Sequence, residues 1–243
     1  MRAGAALALF AAQLAAGTAQ AAWTEEPGHG LVILNTTASR SSGRYEKLEV
    51  APYLQFGLAE GMTAILQPTW SEISTTDDAG AGLSKVFAGA RLRLWQDAAE
   101  VVSLQPGLTL SPFDQAQSRL RGGGDSSAEL RLLWGCGFAE PFEGFVVAEA
   151  APLLSLGGDA SLLEADLTLG FRLDAEDLAM VQFVNKLPLD GGPGGYRKHQ
   201  VVPSLVQDLG LFGLSLQMGL PWTYAGEDIP REIGVSAALW LRF

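Results

Sequence analysis

The sequence predicts an all-β chain, folded as an antiparallel up-and-down transmembrane β-barrel of about twelve strands. Three observations carry that expectation. Apolar and polar residues alternate with period two at regular intervals, while helical periodicity is scarce. The connectors alternate between a short kind and a longer kind rich in Gly, Ser and Asp. The opening residues carry an export signal, which places the rest beyond the inner membrane.

That signal comes first along the chain. Arg2 is followed by an apolar run through Ala16 and a small-residue site, Ala19-Gln20-Ala21. Residues 1–21 are therefore expected to be a secretory signal peptide cut before Ala22, leaving 22–243 as the barrel. The run is too short to span a bilayer as a helix. No later stretch is long and apolar enough either, so membrane entry requires a closed barrel.

Strands are expected near Leu31–Arg40, Tyr45–Leu58, Met62–Ser74, Leu83–Trp95, Glu100–Leu110 and Ser126–Phe138. Six more are expected near Gly144–Leu156, Ser161–Leu173, Leu178–Leu187, Tyr196–Leu209, Leu214–Tyr224 and Arg231–Phe243. The short connectors are "AEG", "QDAA", "AEPFE", "DAED" and "GLFG". The other kind includes "TTDDAGAG", "SPFDQAQSRLRGGGD", "DGGPGG" and "AGEDIP", with "SSG" and "GGD" as brief members. A bacterial outer-membrane barrel has short periplasmic turns and longer external loops, and an even strand count leaves both ends periplasmic.

Single strands carry the same message. In "LLEADLTLGFRL", Leu163, Ala165, Leu167, Leu169, Phe171 and Leu173 share one face, and Glu164, Asp166, Thr168, Gly170 and Arg172 share the other. In "IGVSAALWLRF", Ile233, Val235, Ala237, Leu239 and Leu241 oppose Gly234, Ser236, Ala238, Trp240 and Arg242. A soluble barrel shows the same alternation with the faces exchanged. The signal peptide, the turn asymmetry and strand lengths of about nine to eleven residues decide for a membrane. Trp70, Trp95, Trp134, Phe138, Trp222, Tyr224, Trp240 and Phe243 lie toward strand ends, as interfacial girdles do. Pro52, Pro68, Pro106, Pro152, Pro203 and Pro221 fall inside expected strands and imply kinks or bulges, with Pro52 facing Pro68.

Composition excludes some functions. The net charge of −11 opposes a nucleic-acid partner. A hydrophobic share of 48% opposes disorder. The single cysteine, Cys136, forms neither an internal disulfide nor a multi-cysteine metal site. No metal and no cofactor are expected.

The segments "AWTEEPGHGLVIL" and "KLEVAPYLQFGLAEGMTAILQPTW" resemble the XagA-like proteobacterial outer-membrane β-barrel family. Shared features are an Ala-Trp-Thr opening, a Pro-Tyr strand, and a Gly-Leu turn into a proline-containing strand. The likeness covers the first third of the expected mature chain, to Ser74. It implies a Gram-negative outer-membrane location and a link to exopolysaccharide production, and it brings no catalytic motif. The ending "LWLRF" separately resembles the C-terminal signal that outer-membrane barrels show to their assembly machinery. That likeness implies roles for Leu239, Trp240, Leu241 and Phe243, with the barrel assembly machinery and outer-membrane lipid as partners.

Inward charges would decide what passes. Arg91, Arg93, Arg172 and Arg242 are expected near the periplasmic ends. Glu129, Arg131, Glu149, Glu164 and Asp166 are expected further out, with Lys47, Glu49 and Lys186 at a similar level. One reading is a polar channel whose lower constriction favours anions such as acidic sugars. The other is a network of salt bridges that fills the lumen. The expected function is a passive channel or export accessory for polysaccharide or small sugars. A non-conducting structural or adhesive barrel is the alternative. A hydrolase using His199 is a third class, although no spacing here joins it to a nucleophile.

Overall fold

In the computed structural model, which describes residues 22–41, 45–75, 79–111 and 125–243, the chain closes into an antiparallel barrel. The expected signal peptide lies outside the described residues, as does most of the loop between Ser111 and Asp125. The strands are β1 (Gly30–Ser41), β2 (Glu46–Ala59), β3 (Met62–Ser74), β4 (Ala79–Gln96), β5 (Glu100–Leu110), β6 (Ser127–Phe138) and β7 (Gly144–Ser155). They continue as β8 (Leu162–Arg172), β9 (Asp177–Pro188), β10 (Arg197–Asp208), β11 (Leu214–Gly219), β12 (Trp222–Glu227) and β13 (Glu232–Arg242). β11 and β12 both lie between β10 and β13 and form one stave broken at Leu220 and Pro221. The wall therefore has twelve staves.

Neighbours in sequence pair as hairpins, and the ends of the chain close the ring. β1 pairs with β13 from Leu31 opposite Arg242 to Ser41 opposite Glu232. Phe243 extends the seam by exchanging backbone hydrogen bonds with Gly30 at 2.8 and 3.0 Å. Its ring lies where a β-carbon on Gly30 would sit, 2.6 Å from the nearest ring atom, so this close approach requires glycine.

Side-chain parity divides the wall into two faces. Leu34, Leu108, Leu132, Leu167, Met218 and Val235 point outward, with 37–63% of their surface uncovered. Such a belt around every side of a molecule matches hydrocarbon rather than water. Trp70, Trp95, Trp134, Trp222 and Tyr224 are also exposed on this outer face. Trp240 differs from the girdle expectation. It shares the parity of Ala238 and Arg242, lines the lumen, and donates its indole N–H to Gln217 Oε1 at 3.1 Å.

The prolines follow from the ladder's chemistry. Pro52 opposes Pro68, and pairing of β2 with β3 lapses between Val50–Trp70 and Leu54–Leu66. Pro52 keeps its partner Leu34 on the other side. Pro106 likewise pairs with Leu130 on β6 beside a gap toward β4, and Pro152 pairs with Leu163 on β8 beside a gap toward β6. A missing N–H interrupts one ladder and leaves the other intact. The β3–β4 hairpin is longer than expected, because Ala79–Gly82 pair with Ser71–Ser74. Cross-strand pairing there overrides the weak strand propensity of glycine.

Aspartates pin the β4–β5 and β8–β9 turns. Asp97 accepts from the amides of Ala99 and Glu100, and Asp174 accepts from those of Glu176 and Asp177, at 2.7–2.9 Å. The bonds from Glu176 and then Asp177 hold the Asp174 carboxyl below the usual carboxylate range. A lowered value means the turn gains stability above the ordinary aspartate pKa of about 3.9 and loses it as pH falls through the depressed value. Amide exchange at Glu176 and Asp177 is therefore expected to speed up in Asp174→Ala at neutral pH. The wild type should lose the same protection only under strong acid. Equal protection in both proteins at neutral pH would contradict this role.

Candidate functional site

The inward face encloses a cavity of about 620 Å³. Its most charged element is Arg131 on β6. The guanidinium donates from Nη2 to Glu164 Oε1 at 2.6 Å, from Nη1 to Glu149 Oε2 at 3.1 Å, and from Nε to Glu129 Oε1 at 3.3 Å. Asp166 lies at 4.0 Å. Register gathers these groups: Glu149 is opposite Asp166, and Glu164 is opposite Lys186. Lys186 closes the network with a 2.6 Å contact to Glu164 Oε2. A planar five-donor cation suits several converging carboxylates, and such groups sit away from bulk water only when paired.

The lysines lie on other staves of the ring. Lys47 pairs with Glu49 at 2.6 Å, two residues along the same face of β2. Lys85 on β4 and Lys198 on β10 also line the cavity. Glu232 accepts from the Ser39 hydroxyl at 3.0 Å. The lumen thus has an acidic wall on β6, β7 and β8, with lysines on staves to either side of it (β4, and β9 with β10) and on β2.

The half of the lumen near the short turns is packed rather than open. Residues Ala22 to Glu25 lie inside the barrel before β1 begins, and Glu26 and Pro27 are exposed. Ser103 donates its hydroxyl to Ala22 O at 2.6 Å, Arg91 donates to Trp23 O at 3.0 Å, and Glu25 N donates to Thr63 Oγ1 at 2.7 Å. Pro27 and Gly28 dock on Gly57 of β2. Ala22 sits in an apolar cluster with Val101, Leu133, Phe145, Val147 and Met180, and Trp23 packs against it. Val101, Leu133 and Val147 face inward yet have 0% of their surface accessible, so no water column passes them. Trp23 lies over Gly135, where a β-carbon would come within 2.4 Å of the indole. A larger residue at 135 and the seated tryptophan are mutually exclusive.

The arginines expected at one constriction are not gathered into a ring. Arg91 is buried, bonded to Gln105 Oε1, the Tyr53 hydroxyl and the Trp23 carbonyl, and anchors the N-terminal strap. Arg93 reaches Gln96 and Glu60 at the mouth. Arg172 reaches Glu143 and Ala175 O at another turn. Arg242 lies at the mouth, where Glu25 and Asp208 supply opposite charge. Arg131, Glu129, Glu149, Glu164 and Asp166 do line one cavity. His199 points out of the wall, with Nδ1 2.8 Å from Asn185 Oδ1 and its ring beside Tyr224. An amide can orient a base but is not a nucleophile.

Alternation in "KVFAGARLRLW" sets Lys85 on the face of Arg91 and Arg93, and it does line the interior. Sequence reasoning missed the strap, Tyr53, Gln105 and Lys198 as members of the interior. Lys198 had a signal, because it shares parity with the polar inward Gln200. The strap had only the unexplained apolar pair Ala22-Trp23 outside any strand.

The chain matches no family model and no curated protein sequence. Its backbone is similar to the crystal structure of the COG4313 outer-membrane channel from Pseudomonas putida F1. That match is 12% identical with a TM-score of 0.69, over 92% of this chain and 98% of that one. It is also similar to the NanC porin, at 8% identity and a TM-score of 0.60, covering 85% and 97% of the two chains. A third similar structure is the KdgM porin in complex with disordered oligogalacturonate, at 9% identity and a TM-score of 0.53, covering 87% and 99%. At such identities the likeness is one of fold.

Arg131→Met is expected to destabilise the barrel by about 3–5 kcal/mol, because it strands converging carboxylates without their main counter-charge. Urea unfolding from lipid vesicles at pH 7, followed by tryptophan fluorescence, reads the loss. The deficit should shrink in acid, where the carboxyls protonate and need no partner. An unchanged midpoint at pH 7 would remove Arg131 from its central place.

Proposed function

We propose that this chain is an outer-membrane channel or export accessory for saccharides in a Gram-negative bacterium, operating passively. One observation carries the reading: a charged, hydroxyl- and amide-lined cavity enclosed by a wall whose outside is apolar on every stave. Tyr53, Asn35, Thr37, Gln67 and Gln200 offer this cavity neutral hydrogen-bonding groups. Such groups match sugar hydroxyls, and flanking charges leave the path too polar for lipid. The fold-level likeness to a channel and to porins, one of them in complex with oligogalacturonate, supports the same class by analogy. The link to exopolysaccharide rests on the XagA-like opening segment. The assembly role of Leu239, Leu241 and Phe243 rests on the resemblance of the C-terminal strand to a sorting signal.

On this reading the strap from Ala22 to Glu26 is the gate. It occupies the lumen near the short turns, so solute passes only when it withdraws. Its hold consists of a few hydrogen bonds, the buried Ala22, the docking of Pro27 and Gly28 on Gly57 and one seated indole, a local contact set that opens without unfolding the wall. The non-conducting alternative draws on the same feature, since a strap that never leaves makes the barrel a plugged scaffold.

Planar-bilayer recordings and glucose efflux from vesicles separate the two. The wild type should show low, intermittent conductance. Trp23→Ala should raise mean conductance and glucose flux by about tenfold, the effect of removing roughly 1.4 kcal/mol from the closed state. If Trp23→Ala and a variant lacking the strap both stay silent, while their unboiled gel mobility is that of a folded barrel, the channel reading fails.

A further inference from the structure

The lumen contains four lysines in its outer half: Lys47, Lys85, Lys186 and Lys198. Two are committed locally, Lys47 to Glu49 and Lys186 to Glu164, each at 2.6 Å. The other two differ. Among the described residues, neither Lys85 nor Lys198 has a carboxylate oxygen within 4.0 Å. Both line the same cavity, Lys85 from β4 and Lys198 from β10 on the opposite side of the ring, and both feel the charges of Lys47, Lys186 and Glu49. Glu164 also acts on Lys85, and Glu232 on Lys198, but neither reaches ion-pair distance.

Register sharpens the point. Lys198 stands directly opposite Lys186 in the β9–β10 ladder. Like charges placed directly across a ladder are destabilising. The acidic wall lies one strand further on, and its carboxylates are spent on Arg131 and Lys186. Folding alone would be served better by a neutral residue at 198, as by Gln200 two places along the same face. Two ammonium groups without an ion-pair partner, reaching one polar cavity from opposite sides of the ring, are an arrangement that an anionic ligand completes.

We propose that Lys85 and Lys198, flanked by Lys47 and Lys186, form a carboxylate-binding subsite for an acidic sugar. The carboxylate would sit between the two free ammonium groups, and the sugar hydroxyls would meet the neutral donors and acceptors of the same cavity. Asn35, Thr37 and Gln200 line that cavity and supply such groups. The sugar part of the assignment rests on the saccharide reading of the lumen. The anion part rests on the lysines alone.

Equilibrium binding to the purified full-length chain in detergent tests this, with glucuronate, glucose and acetate as probes. Glucuronate should bind at least tenfold more tightly than either glucose or acetate. Lys85→Gln/Lys198→Gln should lose that binding by tenfold or more, whereas Lys85→Arg/Lys198→Arg should keep it. If the double glutamine variant fails to fold, each single glutamine variant should show part of the loss. Equal glucuronate binding in wild type and glutamine variants would overturn the subsite. Acetate binding as tight as glucuronate would reduce it to a general anion site, and equal binding of glucose would remove the role of charge. None of these measurements requires passage through the barrel. A silent bilayer with intact glucuronate binding would defeat the transport reading and leave the subsite standing.

Discussion

The constraint behind this structure is the backbone's need for hydrogen-bond partners where no water is available. Each peptide N–H and C=O in hydrocarbon must find a partner within the protein, and an open sheet edge cannot supply it. The β1–β13 ladder removes that edge, and Phe243 carries the pairing on to Gly30. Closure fixes parity around the whole ring, because each register is set by the one before. Parity then sends leucines to one side and ionised groups to the other. The prolines mark how far the constraint bends: each costs one local ladder interaction and leaves its second neighbour paired.

Closure also creates a second problem, which is how to fill an interior that lacks enough water to screen charge. The chain meets it differently at its two ends. Near the short turns the lumen is packed with Val101, Leu133, Phe145 and Val147 around the inserted Ala22 and Trp23. Further out it is polar, and one arginine answers three carboxylates. The filling near the short turns is thus apolar, and the salt-bridge network lies at the level of the cavity. Carboxylates crowd β6, β7 and β8 while ammonium groups line β2, β4, β9 and β10, so charge is unevenly distributed around the remaining cavity.

Much of the wall could be read from the sequence, because a lipid-facing strand has a strict period and little tolerance for exceptions. The β8 alternation, the hairpin turns and the facing pair Pro52–Pro68 all follow from that rule. The interior was less legible. Parity states that a side chain points inward but not at what height, and stave tilt shifts neighbouring strands along the axis. Arg91, Arg93, Arg172 and Arg242 share inward parity, yet the first three are taken up by different local partners, and Arg242 is met only by the charges of Glu25 and Asp208. Residue type alone assigns Trp240 to the interface, whereas its parity with Arg242 points to the lumen. The strap obeys no period at all. Its position depends on the space left above Gly135 and on the donors of Ser103 and Arg91, which no local pattern encodes.

The central claim is that the wall's oily face touches lipid and its ionised face lines an enclosed interior. Nitroxide labels placed singly from Leu163 to Phe171, in a Cys136→Ser background reconstituted in bilayers, test it directly. Collisions with dissolved oxygen should peak at 163, 165, 167, 169 and 171, and collisions with a polar nickel chelate should be relatively higher at 164 and 166. A flat profile, or oxygen maxima on the even positions, would contradict the account.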